Sequence, residues 1–398
     1  MDNLTTGLRA LCVGAFTVLA IAGCATPVAT SETNELPFNQ AVDVATDGLV
    51  SQTQNLPGFL AKMEAKIVKR GVVADPMLDA SSGQQTAVTK LLEQRVTDRM
   101  RTNYTQFEIL PFQSANLSKA QYLLTGTMTR VQGGKSNVFR INLALTDLKT
   151  GNVVAQSSAR ARDEGLDTNP TPYYRDSPIL VKDKVIDGYI RTCETPPGRP
   201  ADPVYFERVS TATLINEATN AYNADQYQDS LNLYKNAAAT PAGDQLRVLN
   251  GIYLSDWKLG KQAEAEEAFG KVVAFGIANN NLGVKFLFNP GTTEFWSDPK
   301  VSGPYALWLR QIARQTAASK ACMNIVGHTS HTGSEPANDR LSQQRAAYIK
   351  QRLEAEAPEL ASRTKATGVG FHENIVGTGT DDARDALDRR VEFKIPGC

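Results

Sequence analysis

The chain has 398 residues, 41% hydrophobic and 21% charged, which is enough to bury ordinary cores in two or three domains. Lys and Arg total 42, and so do Asp and Glu, so the formal net charge is zero. With no basic excess, the balance gives no support to nucleic acid or an acidic lipid surface as partner.

The N-terminus begins weakly charged with Arg9 and continues as an apolar run over 11–22, too short for an ordinary spanning helix. The run ends in Ile21-Ala22-Gly23-Cys24, which resembles a bacterial lipobox. That resemblance implies a signal peptide over 1–23 and lipid on Cys24 as the only attached group; an ordinary signal peptide or short anchor is the alternative. Ala25 follows where the resemblance ties an Asp to inner-membrane retention, so the expected site is the periplasmic face of a Gram-negative outer membrane. Residues 24–39, rich in Thr, Pro, Ala and Ser, read as a flexible tether.

Residues 40–200 read as an α+β domain. A strand is predicted over 66–73 and a helix over 86–101, where Leu91, Leu92, Val96 and Met100 fall at helical spacing. Strands follow over 107–112, 122–131 and 138–148, then a Lys149-Thr150-Gly151-Asn152 turn and a returning strand over 153–162. One helix and these strands predict an α+β sandwich. Tyr122-Leu123-Leu124-Thr125-Gly126-Thr127-Met128 and Leu145-Thr146-Asp147-Leu148-Lys149-Thr150-Gly151 resemble envelope lipoprotein domains of the CsgG and LpoB type. The resemblance implies contact with other proteins rather than chemistry. The stretch 163–178 concentrates acids, prolines and aromatics, and reads either as a functional loop or as a solvated linker.

The middle, 205–281, carries a repeat at a 35-residue offset: Leu214 matches Leu249, Tyr222 Trp257, Ser230 Ala265, Tyr234 Phe269 and Ala237 Val272. Alternating small and aromatic positions resemble tetratricopeptide-like helical hairpins. Such a region serves as a protein-docking groove or as a rigid spacer.

Residues 283–398 read as strand, helix, strand, helix and two further strands, a two-layer α/β arrangement. A strand starting at Val284 and a helix over 305–317 lead to an apolar run over 322–326 and the turn Gly327-His328-Thr329-Ser330-His331-Thr332-Gly333. Leu341, Ala346, Ile349 and Leu353 then share one helix face. Beside that stripe Arg345 is placed to grip a carboxylate through two parallel N–H···O bonds, or else merely pairs with a surface acid.

Asn338-x2-Leu341-Ser342-x2-Arg345-Ala346-x2-Ile349-x3-Leu353 meets every fixed position of the peptidoglycan-associating motif N-x2-L-S-x2-R-A-x2-V-x3-L, with Ile349 for the Val. Gly368-Val369-Gly370 and Asp388-Arg389-Arg390-Val391-Glu392-Phe393 extend the match over about the last 115 residues, one domain in size. This part therefore resembles the OmpA-like family, whose ligand is the free end of diaminopimelate in a peptidoglycan stem peptide. The family uses the motif Arg and an Asp directly after Gly-His-Thr. Carried over, the binding set is Thr329, Ser330, Asn338, Arg345 and Arg390. Ser330 stands at the Asp position; a hydroxyl carries no charge, and the ligand's ammonium loses a charge-assisted bond of roughly 1–3 kcal/mol. His331 or Glu335, in the same turn region, is placed to supply part of it.

Of five cysteines, Cys12 would leave with the signal peptide and Cys24 would carry lipid. Three pairings remain open among Cys193, Cys322 and Cys398; Cys322–Cys398 is favoured, since both flank strands of one domain. His328 and His331 sit three apart, but no Cys or carboxylate spacing completes a metal site, so none is expected. Neither a Gly-rich phosphate loop nor a G-x-S-x-G elbow occurs, so no enzyme is expected. The expected function is non-covalent peptidoglycan binding by a lipid-anchored envelope protein that links outer membrane to wall and recruits protein partners through its N-terminal or repeat region. The alternative is a regulator or assembly factor of a wall synthase or secretion complex, with wall binding only for positioning.

Overall fold

The computed structural model describes residues 34–53, 69–131, 138–179, 182–280, 282–375, 379 and 384–398. The predicted signal peptide, Cys24 and the tether as far as residue 33 lie outside the described residues, as do 66–68 of the first predicted strand. Among the described residues, no helix is long and apolar enough to cross a membrane.

The first region is built from β1 (Glu35–Leu36), α1 (Phe38–Thr53), β2 (Arg70–Ala74), β3 (Leu78–Asp79), α2 (Ala87–Asn103), β4 (Phe107–Leu110), α3 (Ser114–Leu117), β5 (Ala120–Arg130), β6 (Val138–Asp147) and β7 (Val153–Arg162). The strands form one sheet in the order β1-β7-β6-β5-β2-β4, with β3 paired to β5. β5, β6 and β7 are an antiparallel meander, whereas β2 runs parallel to both β4 and β5. The predicted turn between β6 and β7 is closed by Asp147, whose Oδ1 accepts from Lys149 N and Thr150 N at 3.0 and 2.8 Å.

The tether ends earlier than residue 39: Glu35 and Leu36 pair with Arg160 and Ala161, and α1 starts at Phe38. Ala41, Val42, Ala45, Leu49 and Val50 of α1 pack with Ala155, Ala159 and Ala161 of β7, where small side chains let helix and sheet approach closely. α2 fills the same face through Val88, Leu92, Val96 and Met100.

The opposite face of the sheet is also covered, by α5 (Lys184–Glu194) and α6 (Pro203–Phe206), which follow the short α4 (Pro172–Asp176). Neighbouring strand residues divide between the faces as the period of two requires: Val72 and Leu124 join α1 and α2, Val73 and Leu123 join α5 and Tyr205. The region is thus a sheet with helices on both sides, not a sandwich with one helix. Its core also runs past residue 200, to Val209 and Ala212.

The solvated-linker alternative for 163–178 does not hold. Asn169 and Asp167 carbonyls accept from Ala87 N and Val88 N, at 2.9 and 2.8 Å, and so satisfy the open N-terminus of α2. From there the strap sinks Tyr173 and Tyr174 into the helical middle. Tyr173 Oη donates to the Arg247 carbonyl at 2.9 Å and accepts from Asn250 Nδ2 at 3.1 Å.

That middle consists of α7 (Val209–Asn223), α8 (Tyr227–Ala238), α9 (Leu246–Lys258) and α10 (Gln262–Ala278), two consecutive helical hairpins. The repeat positions Tyr222, Ser230, Tyr234 and Ala237 are buried, as are Ala265, Phe269 and Val272, while Leu214, Leu249 and Trp257 are half-buried. Gly251 lies flat against the Tyr234 ring, with no room for a Cβ between them.

β8 (Leu282–Leu287), α11 (Pro299–Ser302), α12 (Tyr305–Ser319), β9 (Met323–Gly327), α13 (Glu335–Glu356), β10 (Thr364–Gly368) and β11 (Arg390–Lys394) complete the fold. The sheet order is β10-β9-β11-β8, with β10 parallel to β9 and β11 antiparallel to β9 and β8. One continuous apolar cluster runs from Tyr173 through Phe269 and Trp308 to Phe393, so the helical middle and the C-terminal region share a core. Cys322 and Cys398 are joined in a disulfide with Cα atoms 5.3 Å apart; Cys193 is a buried thiol.

Candidate functional site

The site starts where β9 meets α13. A Cβ at Gly327 would run into the Ser342 carbonyl oxygen, so glycine is what lets the helix lie directly on the strand. Beyond it the chain is pinned from two sides. His328 N donates to the Arg390 carbonyl and Thr329 N to the Gly370 carbonyl, each at 2.9 Å. Ser342 Oγ accepts from Gly370 N at 3.0 Å and holds the same loop against the helix.

Asn338 closes the turn from below. Its Nδ2 donates to the Thr332 carbonyl at 2.8 Å, tying the loop to the first turn of α13. Ser330 Oγ lies 3.3 Å from Thr332 Oγ1, and Thr329 Oγ1, almost fully buried, has no hydrogen-bond partner among the described residues. Ser334 caps α13 without a side-chain bond, so first-turn N–H groups and the positive end of a 22-residue helix face this loop. Thr329, Ser330 and Asn338 are therefore brought together.

Arg345 is placed differently from the expectation. It is fully buried, and its guanidinium donates to three backbone carbonyls: Nε to Thr292 at 3.0 Å, Nη1 to His328 at 3.1 Å and Nη2 to Asn289 at 3.0 Å. Its Cζ also lies 5.1 Å from the Phe288 ring centroid. The reason is helical phase: one residue before Ala346, Arg345 points into the seam between α13 and the loop after β8 rather than outward beside the stripe. Its bonds knit that loop to the base of the His328 turn.

Arg390 is similarly enclosed. Nε donates to Glu392 Oε2 at 3.0 Å, while Nη1 and Nη2 reach the Glu373 carbonyl at 3.4 Å. Of the two residues placed to compensate for Ser330, Glu335 faces His372 at 3.2 Å, and His331 stacks 4.2 Å from the Phe371 ring.

One cluster was invisible in the sequence. His328, Glu373 and Glu392 bring a ligating atom each within 4.8 Å of one another, although the carboxylates lie 45 and 64 positions from the histidine in sequence. His328 Nε2 stands 3.2 Å from Glu392 Oε1, off the line of a good hydrogen bond. Burial pushes His328 below the usual imidazole value against the pull of Glu392. Burial would raise Glu392, but His328 and Arg390 beside it hold its carboxyl down at about 2. Arg390 already binds Glu392, and Lys394 Nζ lies 3.4 Å from Glu373 Oε2, so protein cations stand where a metal would have to compete.

Residues 287–387 match the OmpA family. Over 76 residues the chain is 36% identical to the probable lipoprotein YiaD of Escherichia coli (strain K12), covering 19% of this chain and 34% of that protein. The chain thus spans about a third of the length of this curated relative. Among solved structures it is similar to the peptidoglycan-associated lipoprotein of Burkholderia pseudomallei, at 20% identity and a TM-score of 0.25, over 28% of this chain and 89% of that one. It is also similar to the cell wall anchor of the T6SS from Pseudomonas aeruginosa, at 23% identity and a TM-score of 0.23, over 28% and 76%. The C-terminal domain is OmpA-like.

Proposed function

We propose that this chain is an envelope protein that binds peptidoglycan non-covalently through its C-terminal domain, without catalysis. The observation that carries the reading is the family match over residues 287–387, which takes in the whole Asn338 to Leu353 motif. What supports its placement is the turn from Thr329 to Gly333 lying against the N-terminus of α13, where N–H groups favour a carboxylate such as that of a stem peptide. Thr329, Ser330 and Asn338 contact the ligand; Arg345 and Arg390 hold the loops in position from behind. Lipid on Cys24 would fix the chain to the periplasmic face of the outer membrane. The N-terminal region and the tetratricopeptide-like middle would then meet protein partners.

Co-sedimentation of the full chain with purified wall sacculi tests this. Wild type is expected to sediment, Asn338→Ala to sediment less, and Ser330→Asp to sediment more by restoring a charge opposite the ligand's ammonium. Failure of wild type to sediment, or indifference to both substitutions, would remove the assigned site.

A further inference from the structure

An open groove of about 500 Å³ runs between the N-terminal sheet and the helical middle, within the size range of ligand sites. One wall lies where Ala74 ends β2 and Pro111 follows β4, two parallel neighbours. The connections from these strands pack on opposite faces of the sheet, α2 through Leu92 and α3 through Leu117, which opens a crevice at the carboxyl ends of the strands. The other wall is α7 and α8. The two walls are fixed to one another: Asn216 Nδ2 donates to the Phe112 carbonyl at 2.9 Å, and Ser114 N to Glu217 Oε1 at 3.1 Å.

Three carboxylates line the groove, Glu93 from α2, Glu217 from α7 and Asp229 from α8, against one cation, Lys90. Among the described residues no salt bridge reaches any of the three. Glu217 has only the neutral donors of Ser114, and Glu93 only Met77 N at 3.2 Å. Burial, with the charge of Asp75 adding to it, pushes Glu93 up to about 7 against the pull of the Met77 N–H and Lys90. The groove therefore holds more negative charge than its own cation offsets.

Gln85 is a second and independent sign of a ligand. It is 6% exposed, and its side-chain amide makes no hydrogen bond among the described residues. The amide is not sealed off either: it stays accessible from the space Gln85 lines, which is this groove and a cavity of about 20 Å³ behind it, with room for one water. A reachable amide with open donors and acceptors, beside carboxylates that lack cations, matches a peptide whose backbone meets the amide and whose basic side chains meet the acids.

We propose that this groove docks a protein partner through a segment bearing lysine or arginine, its cations on Glu93, Glu217 and Asp229 and its backbone on Gln85. The inference rests on the reading that the N-terminal region and the middle meet protein partners, and it names the chemistry of that partner.

Fluorescence anisotropy of the full chain with a labelled short peptide of alternating lysine and alanine tests it at pH 8, where all three acids are charged. Matched peptides carry glutamine or glutamate for lysine. The lysine peptide is expected to bind and the matched peptides to bind at least about tenfold more weakly. Glu93→Gln, Glu217→Gln and Asp229→Asn combined should cost about tenfold in affinity, and Gln85→Leu about threefold. Removing three exposed acids elsewhere, by Glu264→Gln, Glu356→Gln and Glu359→Gln, should leave it unchanged. No binding of the lysine peptide, equal binding of the glutamine peptide, unchanged affinity in either groove variant, or an equal loss in the control would each overturn the proposal. Should the combined groove variant fail to fold by circular dichroism, its three single substitutions decide. The groove variants should still sediment with sacculi like wild type, so failure of wall binding and failure of partner docking are read separately.

Discussion

Trp308 Nε1 donates to Tyr253 Oη at 2.7 Å, so the first long helix of the OmpA-like domain is bonded directly into the third helix of the middle region. Phe269 stacks on the same indole with centroids 5.7 Å apart, and Glu266 receives Nε and Nη2 of Arg310 at 2.9 and 2.8 Å. Trp308→Ala should lower stability by about 3–5 kcal/mol. The helical middle and the C-terminal domain should lose it together. Chemical denaturation followed by far-ultraviolet circular dichroism and tryptophan fluorescence checks this; two well-separated transitions in the wild type would contradict a shared core.

Arg345→Ala should act on stability before it acts on wall binding. The buried His328 carbonyl loses its donor, at about 1–3 kcal/mol for a group left unsatisfied, and the part-buried carbonyls of Asn289 and Thr292 lose theirs at a smaller cost. A thermal melt of the full chain should show the loss even without ligand. If the melting temperature is unchanged while sacculus binding disappears, the side chain serves the ligand alone and its carbonyl bonds are of no consequence.

Asp75 gives a pH dependence of unusual sign. It is fully buried with Tyr205 Oη donating to its Oδ2 at 2.6 Å, and burial raises its carboxyl to about 6. Because the folded value exceeds the unfolded value of about 3.9, the folded state holds the proton more tightly. Stability therefore falls as pH rises from about 4 to 6, by roughly 3 kcal/mol for this group, and stays reduced above that. Asp75→Asn keeps an acceptor for Tyr205 and removes the charge. It should be more stable than wild type at pH 7.5 and lose that advantage near pH 4, which paired urea titrations measure.

Cys398→Ser should cost about 2–4 kcal/mol, because the Cys322–Cys398 bond closes a loop with a separation of 76 residues. The same loss should follow from mild reduction of the wild type. A melting temperature indifferent to reductant would mean that the terminal segment is held by its strand alone.

What could be read in advance follows from how local the cause is. α2 was legible because Leu92, Val96 and Met100 repeat at helical spacing behind a Thr86 cap that accepts from Thr89 N at 3.3 Å. α1 was not, since its Asn, Thr, Val and Gly content is poor for a helix and packing on β7, β6 and α2 is what holds it. That Asn338 opens the helix directly after the Ser330 turn could be read from the motif, whereas the direction of Arg345 depends on Asn289 and Thr292, more than 50 residues earlier and without any signal of their own. The same holds for Glu373 and Glu392, which reach His328 only through the sheet order.

The strap has a consequence for how the protein is made. Tyr173 finds its partner Asn250 only 77 residues further along the chain, after α7 and α8 have been synthesised. Until then a growing polypeptide can place Tyr173 only against α7 and α8, through Asn223, Tyr222 and Tyr234, and its hydroxyl lacks the α9 partners. Translation must pass α9 before the N-terminal sheet acquires its final clasp, so a ribosome stalled earlier would release a sticky, half-fastened product.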